Sequence, residues 1–419
     1  MPMTTFTPST AEEVLAAVQW AVAQEEPLEI VGHGSRRGIG RPVQAAHTLD
    51  LSGLSGVTLY EPAELVLSAR AGTPLAEIEA LLAASNQQLA FEPMDHGPLF
   101  GQPPGRGTIG GVLAANVSGP RRLKAGAARD HILGIHAVSG RAEAFKSGGR
   151  VVKNVTGYDL SKAMAGSWGT LAVVTDVTFK VLPAAETETT LAVRGLLDDL
   201  AVAAMSLALG SSAEVSSAAH LPYPAVGKLA GGGLGSRPAT LLRVEGFGPS
   251  VAARMETLKR LLKDAAPLEE IAGQASRDLW REVRDCVPFA GGDKPLWRVS
   301  MAPSQAHQMV MALRMQAPVS AFYDWQGGLA WLSMEGGEPE AGLLRGLVQK
   351  FGGGHATLLR AAAAERAAIP PFEPQPPALA ALSARLKAEF DPRNILNPGR
   401  MVAADASGNV EGIARGAPT

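Results

Sequence analysis

Apolar residues near the start of the chain recur at the spacing of an α-helix. They lie three or four positions apart between Val14 and Val22, so that one face of a helix over residues 9–25 is apolar. Ser9 or Thr10 can cap this helix, because a glutamate follows three residues later in either frame. The pattern therefore predicts an amphipathic helix that packs against a core.

Two strand patterns follow this helix. LEIVGHGS (28–35) predicts a buried strand that enters a glycine turn, and ELVLSARAGTPLAEIEALLAASNQ (64–87) predicts a strand and then a second helix. Thr73 is placed to cap the second helix and Pro74 to begin it. The inward side of that helix is predicted to carry Leu75, Ile78 and Leu82.

The pattern between Asp130 and Pro183 is mostly that of β-strands. It contains HILGIHAVS, a turn at Ser147–Gly149, RVVKNV and the β-branched run TLAVVTDVTFKVL. The segment PAAETET then interrupts the strand pattern. We expect the first domain to end near this break.

Short strand patterns alternate with helical patterns beyond the break. TLAVR, TLLRVEGF, LWRVSMA, VSAFYDW, LAWLSM and HATLLR, with helices near 197–209 and 250–263, predict an antiparallel sheet covered on one side by helices. The similar order of elements at 190–263 and 296–360 indicates a loose internal duplication. This second domain is followed by a proline-rich connector and a last helix, one face of which carries Leu379, Leu382, Leu386 and Phe390.

Composition narrows the class of protein. A chain of 419 residues is long enough for two domains, and 46% hydrophobic with 19% charged residues is typical of a globular protein. A net charge of -2 gives no general attraction to nucleic acid or to anionic lipid. The N-terminus lacks the pattern of a signal peptide, so we expect a cytoplasmic protein.

Cysteine and histidine counts limit the metal chemistry of the chain. Cys286 is the only cysteine, which excludes an internal disulfide and a thiolate set for an iron–sulfur cluster or structural zinc. His131 and His136 lie in a predicted strand at an odd separation, so they point to opposite faces. We therefore predict no metal site.

One glycine-rich stretch has the spacing of a dinucleotide site. Gly105, Gly107 and Gly110 in PGRGTIGGVLAANVSGPRR match G-x-G-x-x-G. A Rossmann turn needs a buried strand immediately before the first glycine, whereas PLFGQPPGRG carries prolines and glycines that a central strand excludes. The sequence argues against a Rossmann turn.

Small residues form three stretches in the first domain, namely VGHGSRRGIG, TIGGVLAANVSG and MAGSWGTLAVV. Without bulky side chains, backbone N–H groups in such stretches approach an anion closely, and Thr, Asn and Ser donate further hydrogen bonds. Each stretch alone is compatible with an ordinary turn. Together they indicate a cradle for phosphate groups, to which the nearby Arg121, Arg122 and Arg129 contribute unless they form a solvated face.

These segments resemble a known family. TIGGVLAANVSGPRR, ARDHILGI, VVKNVTGYDLSKAMAGSWGTLAVVTDVTFKVLP and FDPRNILNPGRM are similar, in this order, to FAD-linked oxidases of the vanillyl-alcohol oxidase superfamily, in the lactate and glycolate dehydrogenase branch. The resemblance covers nearly the whole chain and extends to flavin subunits of bacterial glycolate oxidases, most specifically in NVTGYDL and LNPGR. It implies FAD as the cofactor, held by a PCMH-type domain without a Rossmann turn.

The resemblance also implies an α+β architecture with named boundaries. It predicts a two-subdomain PCMH-type FAD-binding domain at 1–185 (about 1–52 and 53–185), an α/β, ferredoxin-like cap or substrate domain at 186–368, a C-terminal helix and tail at 369–405 that returns to the FAD domain, and a loose tail at 406–419.

The predicted cofactor-binding residues lie in the small-residue stretches, beside them and in the returning tail. They are Gly32, His33, Gly34, Ser35, Arg36, Thr108, Ile109, Gly110, Gly111, Asn116, Ser118, Arg129, Gly166, Gly169, Thr170, Val174 and Asn397. Some members of the superfamily attach the flavin 8-methyl group to a histidine of the first loop. We expect a noncovalent role for His33, because close relatives lack that link.

Two residues of the second domain are candidates for catalysis. FAD supplies the redox chemistry, and the protein must place a 2-hydroxy acid against it. Arg298 is predicted to hold the substrate carboxylate, or else to form a structural salt bridge. His355 is predicted to accept the hydroxyl proton, or else to be a hydrogen-bonded histidine at a strand start.

The sequence departs from its catalytic relatives in one respect. They carry an H-x-G-D-G-N-x-H stretch that binds a metal, whereas the comparable place here is FGGGHAT with only His355. The resemblance therefore implies either a catalytic subunit or a noncatalytic flavoprotein or scaffold. It further implies a catalytic flavin subunit and an iron–sulfur subunit as partners, at the inner face of the membrane. A third reading is a stand-alone FAD reductase that uses a nicotinamide.

Overall fold

The computed structural model describes residues 4–150 and 157–403. Its strands are β1 Thr4–Phe6, β2 Leu28–Val31, β3 His47–Asp50, β4 Val57–Glu61, β5 Val66–Arg70, β6 Gln87–Gln88, β7 Ile132–Ser139, β8 Ala144–Gly148, β9 Ala172–Lys180, β10 Leu182–Pro183, β11 Thr187–Arg194, β12 Ser217–Leu221, β13 Ala239–Gly246, β14 Leu268–Ala272, β15 Leu296–Met301, β16 Val319–Asp324, β17 Leu329–Met334 and β18 Gly354–Arg360. The α-helices are α1 Ala11–Gln24, α2 Leu75–Ala83, α3 Ile109–Ala114, α4 Arg122–Ala125, α5 Ala128–His131, α6 Leu160–Met164, α7 Asp198–Leu209, α8 Gly248–Leu262, α9 Gln274–Arg284, α10 Pro303–Arg314, α11 Ala341–Lys350, α12 Ala363–Ala368 and α13 Pro377–Phe390.

Helix α1 and three parallel strands form the first layer of the N-terminal half, which comprises β1–β10 and α1–α6. The strands follow the order β1-β3-β2. The hydroxyl of Thr10 accepts the N–H of Glu13 at 3.2 Å and so caps α1, as the sequence predicts. Val14 and Val18 are fully buried against Leu28. The predicted amphipathic helix is thereby confirmed.

The second layer of the N-terminal half is an antiparallel sheet of five strands in the order β4-β5-β9-β7-β8. Helices α2 and α3 belong to the same buried core as the inner face of this sheet. Leu75, Ile78 and Leu82 are buried as predicted. Pro74 rather than Thr73 precedes the first turn of α2, because the Thr73 hydroxyl donates back to the Arg70 carbonyl at 2.7 Å.

Strands β11–β18 form one antiparallel sheet, which we call the cap sheet. Its order is β14-β11-β13-β12-β16-β17-β15-β18. Each half runs β-α-β-β-α-β with the ferredoxin-like strand order, and the halves meet where His220 of β12 pairs with Tyr323 of β16. The predicted internal duplication is therefore a structural one, and the α+β fold class is confirmed.

The two faces of the cap sheet have different neighbours. Helices α7 and α8 cover one half of the outer face, and α10 and α11 cover the other half. The inner face shares a core with the N-terminal half, to which Phe322, Trp325 and Trp331 contribute. Residues of the N-terminal half and of the cap sheet thus meet at one interface.

The C-terminal segment returns to the N-terminal half, as expected. Leu396 pairs with Leu28 as a further parallel bridge, and Lys387 of α13 donates to the carbonyl of Thr170 at 2.7 Å. Leu379, Leu382 and Leu386 remain exposed, because the helix packs through Ala384 and residues near its end instead. The predicted strand RVVKNV beyond Arg150 and the tail 406–419 lie outside the described residues.

Candidate functional site

A cleft in the N-terminal half collects residues that are distant in the sequence. Its empty volume is about 810 Å³, including the open mouth. The walls come from the end of β2, the start of α3, the segment before β9 and the C-terminal segment: Ile30, Val31, Gly32, His33, Gly34, Ser35, Arg36, Arg37, Leu51, Ala71, Thr108, Gly110, Gly111, Ala114, Met164, Ser167, Trp168, Gly169, Ala172, Val174, Asn397 and Arg400.

The first loop, residues 32–37, offers unpaired backbone donors to the cleft. The N–H groups of residues 32–36 donate no hydrogen bond to any described residue. Gly34 has a φ of 74°, a left-handed conformation that bends the backbone into a turn closed by Arg37 N–H on the Gly34 carbonyl at 3.0 Å. Successive free N–H groups in such a turn form an anion-binding concavity.

The second loop, residues 108–111, lies directly against the first. A Cβ atom on Gly32 would lie 2.8 Å from the Thr108 hydroxyl, so only glycine permits this approach. Three N–H groups of the second loop are already used, because Ile109 donates to Thr73, Gly110 to Ala71 and Gly111 to the Thr108 hydroxyl. The amides of residues 109–111 are therefore engaged within the protein, whereas those of residues 32–36 in the first loop are free, and a role of the second loop beside a phosphate stays a prediction.

The third segment and the C-terminal segment are joined by one side chain. The Asn397 amide accepts the N–H of Ile30 at 2.8 Å and donates to the Trp168 carbonyl at 2.8 Å. A Cβ on Gly169 would lie 2.8 Å from the Asn397 nitrogen. Asn397 therefore fixes the third segment to β2, and its amide is satisfied by protein groups.

Two buried arginines bring positive charge to the cleft. Burial lowers the pKa of Arg36 to about 10, although Asp95 opposes this shift. Burial likewise lowers the pKa of Arg400 to about 10, with Glu29 opposing it and Arg366 adding to it. Arg400 donates to the Arg36 carbonyl at 2.9 Å, while its buried Nε has no hydrogen-bond partner among the described residues. Charge this poorly compensated favours an anionic ligand.

His96 connects the cleft to the inner face of the cap sheet. Burial and the neighbouring charge of Arg36 hold the pKa of His96 well below its ordinary value, and Arg298 acts in the same direction. The imidazole is therefore neutral. Its Nδ1 accepts a hydrogen bond from Arg36 Nε at 3.2 Å and also lies 3.3 Å from the Met94 carbonyl oxygen.

Strand register places Arg298, His355 and Asp324 in two cross-strand rows on the inner face of the cap sheet. Residues directly opposite each other in antiparallel strands share a face. The rows are His355–Ser300–Leu329–Asp324 and Thr357–Arg298–Trp331–Phe322. The two predicted catalytic residues therefore lie on the side of the cap sheet that faces the N-terminal half.

Arg298 is a cation without a carboxylate partner. Its guanidinium lies 4.8 Å from the ring centroid of Trp325, and Arg122 lies on the same indole at 5.0 Å. Burial and Arg122 lower the pKa of Arg298 to about 10, and Asp324 opposes them. Arg298 forms no hydrogen bond or salt bridge within the described residues. The structural salt bridge considered for it is therefore not observed.

His355 occupies a different environment. It is the second residue of the edge strand β18, it is exposed, and its imidazole forms no hydrogen bond with any described residue. The hydrogen-bonded histidine considered as its alternative is therefore not observed either. Its proposed role as a proton acceptor stays a prediction.

Six predicted cofactor-binding residues do not line the cleft. They support its walls or lie behind them, because their polar groups or their backbones are engaged by the protein. Ile109 is buried in the core, Gly166 donates its N–H to Leu113, Thr170 donates its hydroxyl to Ser167, Asn116 accepts the N–H of Arg129, Ser118 accepts from Arg122, and Arg129 is exposed.

Arg121, considered for a phosphate, instead joins an ion-pair network with Glu92, Glu188 and Glu245.

No cluster of three or more His, Cys, Asp or Glu side chains with metal-binding geometry occurs among residues 4–150 and 157–403. In the same part of the chain, no helix has the length and apolarity that a membrane crossing requires.

Comparison with known proteins identifies the family. An FAD-binding domain family matches residues 2–148. The chain is 34% identical to glycolate oxidase subunit GlcE of Escherichia coli K12 over 394 residues, which cover 94% of this chain and 97% of that protein. The chain belongs to the GlcE family of FAD-linked oxidoreductases. Its cofactor is FAD.

A second relative and a solved structure agree with this assignment. Glycolate oxidase subunit GlcD of Bacillus subtilis 168 is 28% identical over 329 residues, covering 71% of this chain and 69% of that protein. The crystal structure of p-cresol methylhydroxylase with substrate bound has a TM-score of 0.70 at 14% identity, covering 95% of this chain and 88% of that one. The GlcE-family chain therefore has the PCMH-type FAD-binding fold.

The cleft of this GlcE-family chain fits FAD on its own geometry. Free N–H groups of residues 32–36, with the guanidinium groups of Arg36 and Arg400, match the charge of a diphosphate. The apolar walls at Met164, Ala172 and Val174 match the uncharged parts of a nucleotide. Residues 32–36 and Arg400 are the ones that would hold the diphosphate of FAD.

Sequence reasoning missed two wall residues that matter for binding. Trp168 and Arg400 line the cleft, and their side chains contact each other with the guanidinium 5.5 Å from the ring centroid. Trp168 lies within the third small-residue stretch and Arg400 within LNPGRM, so both belong to segments that the sequence analysis associates with the cofactor. A spacing pattern gives no sign that they meet.

Proposed function

We propose that this chain is the FAD-binding subunit of a glycolate oxidase complex that converts glycolate to glyoxylate. The likeness to GlcE over 94% of the chain is the observation that carries the proposal. The partners would be a GlcD-like catalytic flavin subunit and a GlcF-like iron–sulfur subunit. A chain with one cysteine has no thiolates for a cluster of its own, so electrons would leave through the iron–sulfur partner. We further propose a cytoplasmic complex at the inner face of the membrane.

The cleft of the N-terminal half would bind FAD, and the inner face of the cap sheet would bind the substrate. The first loop, Arg36 and Arg400 would hold FAD, which accepts a hydride from the substrate and passes the electrons on. Arg298 would bind the substrate carboxylate through its paired N–H groups, since no carboxylate of the described residues forms a salt bridge with it. Trp325 would keep that guanidinium in place by stacking. The substrate would therefore bind between the cap sheet and the N-terminal half.

The domain boundaries proposed from the sequence fit this division of work. The cleft draws on residues before 185 and on the returning segment at 369–405, whereas Arg298 belongs to 186–368. The cap sheet begins at β11 and ends at β18. We keep these boundaries as a proposal.

A flavin count on the assembled complex tests the proposal. We expect one FAD on this chain, visible as an absorbance beyond that of the GlcD-like subunit, and bleaching of that absorbance by glycolate without oxygen. Bound flavin that glycolate leaves oxidised would indicate a noncatalytic flavoprotein subunit. Absence of flavin would indicate a scaffold, and bleaching by NADPH in the isolated chain would indicate a nicotinamide-dependent reductase.

A further inference from the structure

Asp324 is a buried carboxyl group at the end of β16, on the inner face of the cap sheet. Only 3% of the residue is exposed. Its Oδ1 accepts the N–H of Trp325 at 2.7 Å, and the carboxyl forms no ion pair and no second hydrogen bond with the described residues. Glu92 and Glu245, in the same interface, are both paired with arginines. Asp324 thus differs from its neighbours in lacking an ion pair with any described residue.

The environment of Asp324 keeps its carboxyl able to exchange a proton near neutrality. Burial raises its pKa to about 7, against the effect of the Trp325 N–H. Charged or titratable groups reach it from the surrounding elements: Glu92 from the N-terminal half, Arg243 from β13, Arg298 from β15, and Cys286 after α9. None of these groups forms a salt bridge with it.

The charge of the Arg298 guanidinium acts on the Asp324 carboxyl. Arg298 begins on β15, two strands away, but it stacks on Trp325, the residue that follows Asp324. Trp325 and Gln326 both have left-handed φ values, 51° and 63°. Backbone of this kind persists only where its surroundings hold it. The turn is held by the Trp325 indole, which donates to the Gly119 carbonyl at 3.0 Å.

A third polar group without a partner lies on the same face. Trp331 is opposite Arg298 in the register, and its indole Nε1 is buried without a hydrogen bond to any described residue. Buried donors without partners are uncommon in folded proteins, so they point to a ligand or water. Within the described residues, a guanidinium without a salt bridge, an indole N–H without an acceptor and a carboxyl without an ion pair therefore share one face of the cap sheet.

We propose that Asp324 accepts the hydroxyl proton of the 2-hydroxy acid whose carboxylate Arg298 binds. This inference rests on the proposed function. The substrate O–H bond breaks and its proton moves to the Asp324 carboxylate, while the hydrogen of the α-carbon leaves with its electron pair to FAD. The carbon is oxidised to a carbonyl and FAD is reduced, so protons and electrons balance.

His355 is less well placed for this step than Asp324. The two residues share a row of the sheet but are separated by three strand spacings, or roughly 14 Å. Arg298 extends from β15 toward Trp325 and therefore away from β18, where His355 is exposed. A carboxylate-bound substrate would lie nearer Asp324.

The test measures flavin reduction in the full-length chain loaded with FAD. Under anaerobic single-turnover conditions, glycolate should reduce the wild-type flavin, and Asp324→Asn should be slower by about 100-fold or more. The asparagine oxygen can still accept the Trp325 N–H, so the turn is kept. Asp324→Ser, which also keeps a cap, should give the same loss. Asp293→Asn, an exposed aspartate before β15, should react like the wild type.

A binding measurement separates chemistry from structure. Oxalate, a dianion that cannot be oxidised in this way, should perturb the flavin spectrum and bind Asp324→Asn at least as tightly as wild type, because a negative charge near Arg298 is gone. Equal reduction rates in wild type and Asp324→Asn would overturn the inference. Joint loss of reduction and oxalate binding, or a full loss in His355→Gln with a normal rate in Asp324→Asn, would overturn it as well. A wild-type flavin that glycolate leaves oxidised would instead overturn glycolate oxidation by this chain, the part of the proposed function on which the inference rests, and would indicate a noncatalytic flavoprotein subunit.

Discussion

Glu92 accepts hydrogen bonds from both terminal nitrogens of Arg243, at 2.8 and 2.7 Å, and so joins the N-terminal half to the cap sheet. A second pair has the arginine on the N-terminal half and the glutamate on the cap sheet. In this pair, Arg121 donates its Nε to both carboxylate oxygens of Glu245 at 3.1 and 3.0 Å. Arg243 is also 4.7 Å from the ring centroid of Trp280. These reciprocal pairs fix the orientation of the cap sheet.

Replacing Glu92 by alanine should destabilise the whole chain. The change leaves Arg243 buried without its bidentate partner, and removing one member of a buried pair costs about 3–5 kcal/mol. The measurement is the free energy of unfolding in urea. Glu64→Ala, at an exposed glutamate, is the matched control and should stay within about 0.5 kcal/mol of wild type. Equal losses in both variants would contradict the role of the pair.

The free energy of unfolding should decrease as the pH is lowered, because this network contains carboxylates that are paired with arginines. Burial raises the pKa of Glu245, but Arg243 and Arg121 outweigh burial and lower it to about 2, below the ordinary 4.5. A pKa lowered by folding contributes stability that is present above the ordinary value and lost as the pH falls toward the folded one. Urea unfolding between about pH 6 and pH 3 should show this decline, and Glu245→Gln should reduce its slope.

The contribution of Glu188 to folding stability has the opposite pH dependence from that of Glu245. Burial raises the pKa of its carboxyl, and Glu245 adds to that effect. Its contribution is therefore fully present below the ordinary value and is lost as the pH rises through the folded one. A Glu245→Gln variant with an unchanged acid slope would contradict the prediction for Glu245.

Gly32→Ala should separate the two loops of the cleft. The added Cβ would lie 2.8 Å from the Thr108 hydroxyl and 2.9 Å from its methyl carbon, closer than carbon atoms tolerate. Overpacking of this kind costs about 1–3 kcal/mol, which we expect to appear mainly as weaker FAD binding. Titration of the apoprotein with FAD measures it. Gly342→Ala on α11, where a Cβ meets nothing within 4 Å, should bind FAD normally.

Arg400→Met should weaken FAD binding while leaving the fold intact. The guanidinium donates to the Arg36 carbonyl and stacks on Trp168, and its Nε is free for a phosphate oxygen. Loss of a charged donor of this kind corresponds to roughly 10- to 100-fold in the dissociation constant. Arg385→Met, on the exposed side of α13, is the control and should change the affinity little. An unchanged affinity in Arg400→Met would place the diphosphate elsewhere.

Periodicity predicted the elements that bury one face against a core. The helix capped by Thr10 and the apolar side of α2 follow from spacing alone, because burial of one face dictates the pattern. Strand β12, SAAHL, was missed, since its small residues are buried on both faces and carry no alternation. Leu379, Leu382 and Leu386 have a helical apolar stripe that stays exposed, so the pattern alone does not show burial.

The glycine stretches predicted where the cleft lies, but they did not predict which of their backbone amides are free to bind an anion. Small residues can mean free amides, as at Gly34, or close packing, as at Gly110, whose Cβ would lie 2.7 Å from that of Ala71. Only the hydrogen bonds of the folded chain distinguish these cases. Asp324 had no sequence signal, because its significance depends on the missing partner of Arg298, two strands away.

The parallel bridge between Leu28 and Leu396 has a consequence for biosynthesis. Asn397 and Arg400 complete a cleft whose other walls are translated hundreds of codons earlier. A ribosome-bound nascent chain lacks this closing piece until its last residues emerge from the exit tunnel. We therefore expect a chain truncated before position 397 to bind FAD more weakly than the full-length chain, because two wall residues of the cleft are missing.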